Sequence, residues 1–386
     1  MEIGAGRAAI IGIGTALPPF RMDQGETAAR IAEALQEHPD SMRWAKRIFK
    51  QCGVDSRYTC LPELLEPAAG CRYSPGTPAD AVPTTAERMA VYRREAVPLG
   101  LEAARSALAD AGVEPAGITH LITVSCTGQF LPGLDAVITE SLGLSRRVQR
   151  IPFNFLGCAA GLKGVCLAQH LIRLDSAARV LVVCVELCTL HMQSSAKRED
   201  LYAASFFGDG ASACVVAGSS GSKADRSMFL LGDDRSVLMP EYAEEMVWEV
   251  GNHGFNLYLS PSIPRRIEEL IPPQIEGWFA DEPLPKLWAI HPGGKGIVDA
   301  VQASFGLSDE QVDPSRTVLM RYGNLSSATI LFVLQQMRSQ LIERDIRAEE
   351  GIAMAFGPGL TAELLRFRYV SGEAVVPEER VEDAYV

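Results

Sequence analysis

The stretch Ile151-Pro152-Phe153-Asn154-Phe155-Leu156-Gly157-Cys158-Ala159-Ala160-Gly161 runs from a short apolar segment into small residues. It then continues at helical spacing through Leu162, Val165 and Cys166. A strand that turns sharply into a helix is the building unit of an α/β sheet. Working outward, further apolar runs suited to strands lie near 8–13, 120–126, 179–186, 285–290, 316–321 and 351–356, with helical patterns between them. The alternation predicts an α/β fold with mainly parallel or mixed sheets. Thr84-Thr85-Ala86-Glu87 has the form of a capping box. Leu101, Ala104, Leu108 and Ala111 then mark one apolar face that Gly112 closes, and Pro98 is expected to kink or restart the helix.

The 386 residues, 47% hydrophobic and 22% charged, suit a large buried core. A net charge of −12 argues against general polyanion binding, so an anionic substrate needs a local basic patch. The longest apolar stretches, such as 179–185, fall short of the roughly 18 residues of a membrane span, and the amino terminus reads as a strand rather than a leader. A cytoplasmic protein is expected. The Pro- and Gly-rich stretch from Leu61 to Pro83 reads as a surface excursion, and Gly218-Ser219-Ser220-Gly221-Ser222-Lys223 as a join. This places one half at 1–222, a second at 223–371 and a fraying tail at 372–386. The nine cysteines read as reduced and mostly buried. Cys184, Cys188 and His191 lie close enough to weigh as a zinc set, but no second ligand pair follows and Cys184 sits in a strand pattern, so packing is the better account and no metal is expected. Gly12-x-Gly14 lacks the third glycine of a dinucleotide fingerprint.

Three junctions place reactive side chains at the sheet edge where α/β proteins bind ligands. At the first, Cys158 opens a helix, where the dipole and free N–H groups favour a thiolate. A packing thiol is the plain alternative. At the second, Leu287-Trp288-Ala289-Ile290 ends at His291-Pro292-Gly293-Gly294, and a histidine there can partner a thiol or donate to an oxyanion. At the third, Asn324 follows Gly323 and precedes Ser326, Ser327 and a helix. An amide there is an uncharged donor or simply a turn residue.

Taken together, Gly157-Cys158-Ala159-Ala160-Gly161, Phe207-Gly208-Asp209-Gly210, His291-Pro292-Gly293-Gly294, Gly323-Asn324-Leu325-Ser326-Ser327 and Phe356-Gly357-Pro358-Gly359 resemble, in order and spacing, the type III polyketide synthases of the chalcone synthase superfamily. The resemblance implies a thiolase-like fold of two related halves in five layers (α-β-α-β-α), acting as a homodimer. It implies that Cys158 carries the acyl chain from an acyl-CoA starter. His291 and Asn324 would then stabilise the enolate formed when malonyl-CoA, or a substituted malonyl-CoA, loses carbon dioxide. His291 would also hold Cys158 as a thiolate. CoA thioesters are substrates on this reading and no cofactor is implied.

By the same resemblance Phe207 is the gate between tunnel and cavity, Phe356 opens a cavity-shaping loop, and Ser326 and His191 line the lumen. Thr127 and Leu131 belong to a segment whose tip reaches the neighbouring subunit. Leu257 falls at the second gate position, with Phe255 two residues away. Trp248 falls where plant relatives carry a small residue, and bulk there and at His191 would redirect the lumen away from a chalcone-type product, towards pyrones or resorcinols. Arg47, Lys50 and Arg57 are the cations expected near the CoA phosphates, with Gly293 and Gly294 beside the tunnel. The rivals are a ketoacyl synthase III and a silent thiolase-fold scaffold. His291-Pro-Gly-Gly and the late Phe-Gly-Pro-Gly stand against the first, and the presence of all three polar residues against the second.

Overall fold

The computed structural model describes residues 7–219, 226–279 and 282–372. The expected join at 222 and the fraying tail, apart from Gly372, lie outside the described residues. The strands are β1 (Ala8–Ala16), β2 (Phe20–Asp23), β3 (Ser56–Thr59), β4 (His120–Ser125), β5 (Gln149–Asn154), β6 (Arg179–Leu187), β7 (Asp209–Gly218), β8 (Met228–Leu238), β9 (Met246–Gly251), β10 (Gly254–Leu259), β11 (Leu287–Ile290), β12 (Ala348–Gly357) and β13 (Thr361–Val370). Nine of them form one mixed sheet in the order β11-β12-β13-β8-β1-β7-β6-β4-β5. Its two arms share a pattern. β4 runs parallel to β6, which pairs antiparallel with β7 and β7 with β1; β11 runs parallel to β12, which pairs antiparallel with β13 and β13 with β8. The arms join through the short pairing of Ala9 and Ile10 with Leu230 and Phe229.

Side chains alternate across a strand, so each arm has two faces to cover. Val180, Val182 and Cys184 of β6, and Ala353 and Ala355 of β12, face one central core with helices Ala160–Leu174 and Thr329–Glu343. Leu181, Val183 and Val185 turn outward to helices Thr85–Ala111 and Leu134–Leu142. Ile352, Met354 and Phe356 turn outward to helices Ile263–Leu270 and Lys295–Phe305. The succession is helix, sheet, helix, sheet, helix, the five layers of a thiolase-like fold.

Three local expectations change. The Thr84 capping box and left-handed Gly112 bound a single helix, with Pro98 inside it rather than at a break. Pro98 is exposed, so the carbonyl that its missing N–H leaves unpaired can meet water. The run expected as a strand at 316–321 is the end of helix Asp309–Tyr322, opened by a Ser308 capping box with Gln311. Residues 61–83 are not a loose excursion, because Leu61, Leu64, Cys71 and Tyr73 join the outer core. Gly12 and Gly14 serve packing: a Cβ on either would stand 2.5 or 2.3 Å from Ala107 O or Ala103 O of the long helix. No helix among the described residues is long and apolar enough to cross a membrane.

Candidate active site

Cys158 arrives on a turn between β5 and helix Ala160–Leu174. Phe155 and Gly157 both take positive φ there, 58° and 71°. Only glycine fits at 157, since a Cβ would meet Pro358 Cδ at 2.1 Å. Gly157 N also donates to Cys126 Sγ at 3.0 Å, fixing the turn. Of the nine cysteines, all free, Cys158 is the one not fully buried. Its thiol donates to Ser326 Oγ at 3.6 Å and receives Asn324 Nδ2 at 3.9 Å. Burial pushes the thiol up to about 11, against the pull of those two hydrogen bonds. Desolvation thus acts against the thiolate that the helix N-terminus favours.

His291 follows β11 and is held by a bond from its own N to Met354 O at 2.8 Å. It is buried, and neither ring nitrogen has a hydrogen-bond partner among the described residues. Burial takes the imidazole down to about 3, so it is neutral at ordinary pH and presents one free N–H. Asn324 stands on a turn after helix Asp309–Tyr322. This junction is helix to helix, not strand to helix as the sequence suggested. Asn324 N donates to Phe206 O at 2.8 Å and its carbonyl accepts from Gly208 N at 3.1 Å. Ser326 N donates to its Oδ1 at 2.8 Å, which leaves Nδ2 facing Gly293 O at 3.3 Å and Cys158.

Cys158, His291 and Asn324 line one cavity of about 480 Å³. Thr127, Phe207, Trp248, Leu257, Ser326, Phe356, Gly293, Gly294 and Arg47 line it too. Leu257, not Phe255, reaches the lumen. Phe255 lies behind the wall, stacked on His191 at 4.1 Å between ring centroids. His191 is also behind the wall rather than in it: Nε2 donates to Thr127 O at 2.6 Å, Nδ1 accepts from Phe255 N at 3.0 Å, and the ring meets Trp248 edge-on. Trp248 is fixed by its indole N–H on Cys126 O at 2.9 Å.

Arg57 is wholly buried and bonded to backbone carbonyls, so it cannot meet a phosphate at the surface. Lys50 is exposed but does not line the cavity, and neither does Leu131, which is 90% exposed. Sequence reasoning missed Trp44, Arg198 and Tyr202, which share the cavity lining with Arg47. It also missed Glu186, a buried carboxylate on β6. Glu186 receives Cys126 N at 3.0 Å, Thr127 Oγ1 at 2.7 Å and Ser327 Oγ, and so ties the Thr127 loop to the Asn324 turn. Burial raises it to about 7 against those donors. An acid inside a strand pattern, as in Cys184-Val185-Glu186-Leu187, was the available signal.

Family models for the N-terminal and C-terminal domains of chalcone and stilbene synthases match residues 1–220 and 234–371. The alpha-pyrone synthesis polyketide synthase-like Pks18 of Mycobacterium tuberculosis is 32% identical over 365 residues, covering 93% of this chain and 91% of that protein. Type III polyketide synthase 21 of Oryza sativa is 31% identical, covering 96% of each. Among solved structures, PKS-I from the brown alga Ectocarpus siliculosus superposes with a TM-score of 0.85 at 28% identity, over 96% of this chain and 100% of that one. The C-terminal type III polyketide synthase domain of Steely1, a type I/III hybrid from Dictyostelium, gives 0.84 at 26%, over 94% and 99%. With a thiol, an imidazole and a carboxamide about one apolar cavity, and matches along nearly its full length, the chain belongs to the chalcone and stilbene synthase family of type III polyketide synthases.

Proposed function

We propose that the protein extends an acyl-CoA starter by iterative decarboxylative condensation with malonyl-CoA and closes the product as an α-pyrone. The observation that carries this reading is the convergence of Cys158, His291 and Asn324 on one cavity, with both imidazole nitrogens free of hydrogen-bond partners among the described residues. Cys158 Sγ attacks the starter thioester carbonyl as its proton passes to His291, and the departing CoA thiolate takes that proton. Malonyl-CoA then loses carbon dioxide. The electron pair of the broken C–C bond moves into an enolate whose oxygen accepts from His291 N–H and Asn324 Nδ2. Two fixed donors in a desolvated site are worth a few kcal/mol, about 3 for each donor removed. The enolate carbon attacks the acyl carbonyl and expels Cys158, leaving the extended chain on CoA, free to return to Cys158.

CoA thioesters are the substrates and no further cofactor is invoked. Arg47 and Arg198, exposed and lining the open end, are placed to meet CoA phosphates, with Lys50 nearby. A second copy of the chain would cover Leu131, Phe155 and Leu156, all exposed apolar residues beside edge strand β5, making a homodimer. The wall of Trp248 and Leu257 supports a short lumen, and the Pks18 likeness supports pyrone closure over resorcinol formation.

The test is incubation with a panel of acyl-CoAs and labelled malonyl-CoA. Carbon dioxide release with extended pyrones is expected. Extension only from malonyl on an acyl carrier protein would favour the ketoacyl synthase reading, and no extension at all would leave the scaffold.

A further inference from the structure

Arg57, on β3, is wholly buried, and the chemistry above makes no use of it. Its Nη1 donates to Ala204 O at 2.6 Å and to Phe207 O at 2.8 Å, carbonyls at the end of helix Arg198–Phe206. Nε and Nη2 have no hydrogen-bond partner among the described residues. The nearby Asp209 carboxylate is occupied instead by Cys60 N, Thr189 N and Thr189 Oγ1. A buried cation with unmet donors is costly, so its surroundings must hold it there.

Its stem lies against the second turn. A Cβ on Gly323 would stand 2.9 Å from Arg57 Cγ and 3.0 Å from Cδ. The adjoining backbone grips the same place, with Asp55 N donating to Met320 O at 2.8 Å and Ser56 Oγ to Arg321 O at 2.9 Å. Helices Arg198–Phe206 and Asp309–Tyr322 therefore both end beside one guanidinium, whose charge complements their carbonyl poles. Across the gap Phe207 and Asn324 form a parallel bridge, with Asn324 N on Phe206 O and Gly208 N on Asn324 O. Cys158 stands on a different turn and meets this one at two side chains, the Asn324 amide and the Ser326 hydroxyl, and not at Arg57 or Phe207.

We propose that Arg57 is a positioning residue that locks Phe207 and Asn324 together, and so aims the Asn324 carboxamide at the malonyl thioester oxygen while leaving Cys158 unaffected. The inference rests on the reaction proposed above and assigns Arg57 to its decarboxylation half. A merely structural arginine would, on replacement, weaken every step alike. A positioning arginine separates them.

Arg57→Lys keeps the charge but shortens the side chain, withdrawing the one nitrogen, Nη1, that reaches both carbonyls. In this variant the release of carbon dioxide from malonyl-CoA alone is expected to fall about 10- to 100-fold. Acylation of Cys158, read as the burst of free CoA from a starter thioester without malonyl-CoA, should stay within about twofold, the separation of steps that single-turnover measurement provides. A parallel fall in both steps, or no fall in either, overturns the proposal. Should Arg57→Lys fail to fold, Ser56→Ala loosens the grip on Arg321 without touching the buried charge. A smaller loss with the same asymmetry supports the claim, and equal effects reject it. If the wild-type protein releases no carbon dioxide from malonyl-CoA, the functional reading fails, and a crystal structure of the variant decides the positional claim by itself. Displacement of Asn324 with Cys158 in place upholds it, and an unmoved Asn324 overturns it.

Discussion

Cys158 and Asn324 reach the same cavity by unlike routes. The first arm of the sheet has a fifth strand, β5, and the thiol is carried on a strand–turn–helix elbow. In the second arm the corresponding place is taken by helix Asp309–Tyr322, and the amide is carried on a helix–turn–helix elbow. The strand elbow is held by its neighbours in the sheet and by Pro358. The helix elbow packs against β3 without joining the sheet, and its one backbone pairing is an isolated bridge: Phe207 bridges Asn324, with Arg57 beneath. The thiol is thus aimed by a turn anchored to strand pairing and to Cys126, whereas the amide is aimed by an isolated bridge and a buried cation from two remote segments.

The comparison is broken most severely at its reactive ends. Cys158→Ala should abolish chain extension, by at least about 1000-fold, while malonyl-CoA decarboxylation persists, because the enolate donors stand on the other elbow. Asn324→Ala should lower decarboxylation about 100- to 1000-fold, while alkylation of Cys158 by iodoacetamide falls far less, by the loss of one hydrogen bond that lowers the thiol. Equal loss of both readouts in either variant would mean that the elbows act as one unit.

The glycines sharpen the contrast at lower amplitude. Gly157→Ala and Gly323→Ala each force a side chain into positive φ, at 71° and 72°. Each should cost about 1–3 kcal/mol in denaturant unfolding from that strain. Gly323→Ala should cost more, since Gly323 lies at φ 72° and ψ −160°, a region essentially confined to glycine, and its Cβ would also press on the Phe206 carbonyl and the Arg57 stem.

The smallest effect is a difference in pH dependence. With its thiol raised to about 11, Cys158 in the empty enzyme loses its proton only at high pH, so alkylation should climb about tenfold per pH unit through pH 8–10 instead of levelling near 8.5. Decarboxylation, which needs neutral His291 and an uncharged amide, should show no such limb. It should fall only on the acid side, as pH approaches the value of about 3 at which the imidazole takes a proton.

Much of this was open to reading in the chain. Gly157-Cys158 announced an elbow because a nucleophile among small residues between two periods has few other uses. The Thr84 capping box and Gly112 fixed both ends of a long helix. The misread run at 316–321 shows where such reading stops. Val318 and Leu319 are buried and Met320 is 40% exposed, a helical ridge that mimics a strand over so few residues. The Ser308 to Gln311 capping box upstream carried the correction. Arg57 was misplaced for a deeper reason. Its charge suggested solvent and phosphate, and nothing local tells that two helix ends will close over it. His191 was likewise taken for a lumen residue, although Thr127 and Phe255, far off in the chain, hold both its nitrogens behind the wall.

The chain alone determined the residue types that carry the chemistry, the turns that present them and the α/β alternation, since all of these follow from short-range sterics, periodicity and side-chain functional groups. The tertiary structure alone decided that Cys158 and His291 are enclosed together, that Leu257 rather than Phe255 meets the lumen, and that Arg57 lies beneath the Asn324 elbow. Desolvation and facing depend on which distant segments pack around a group, and no local stretch of sequence encodes that enclosure.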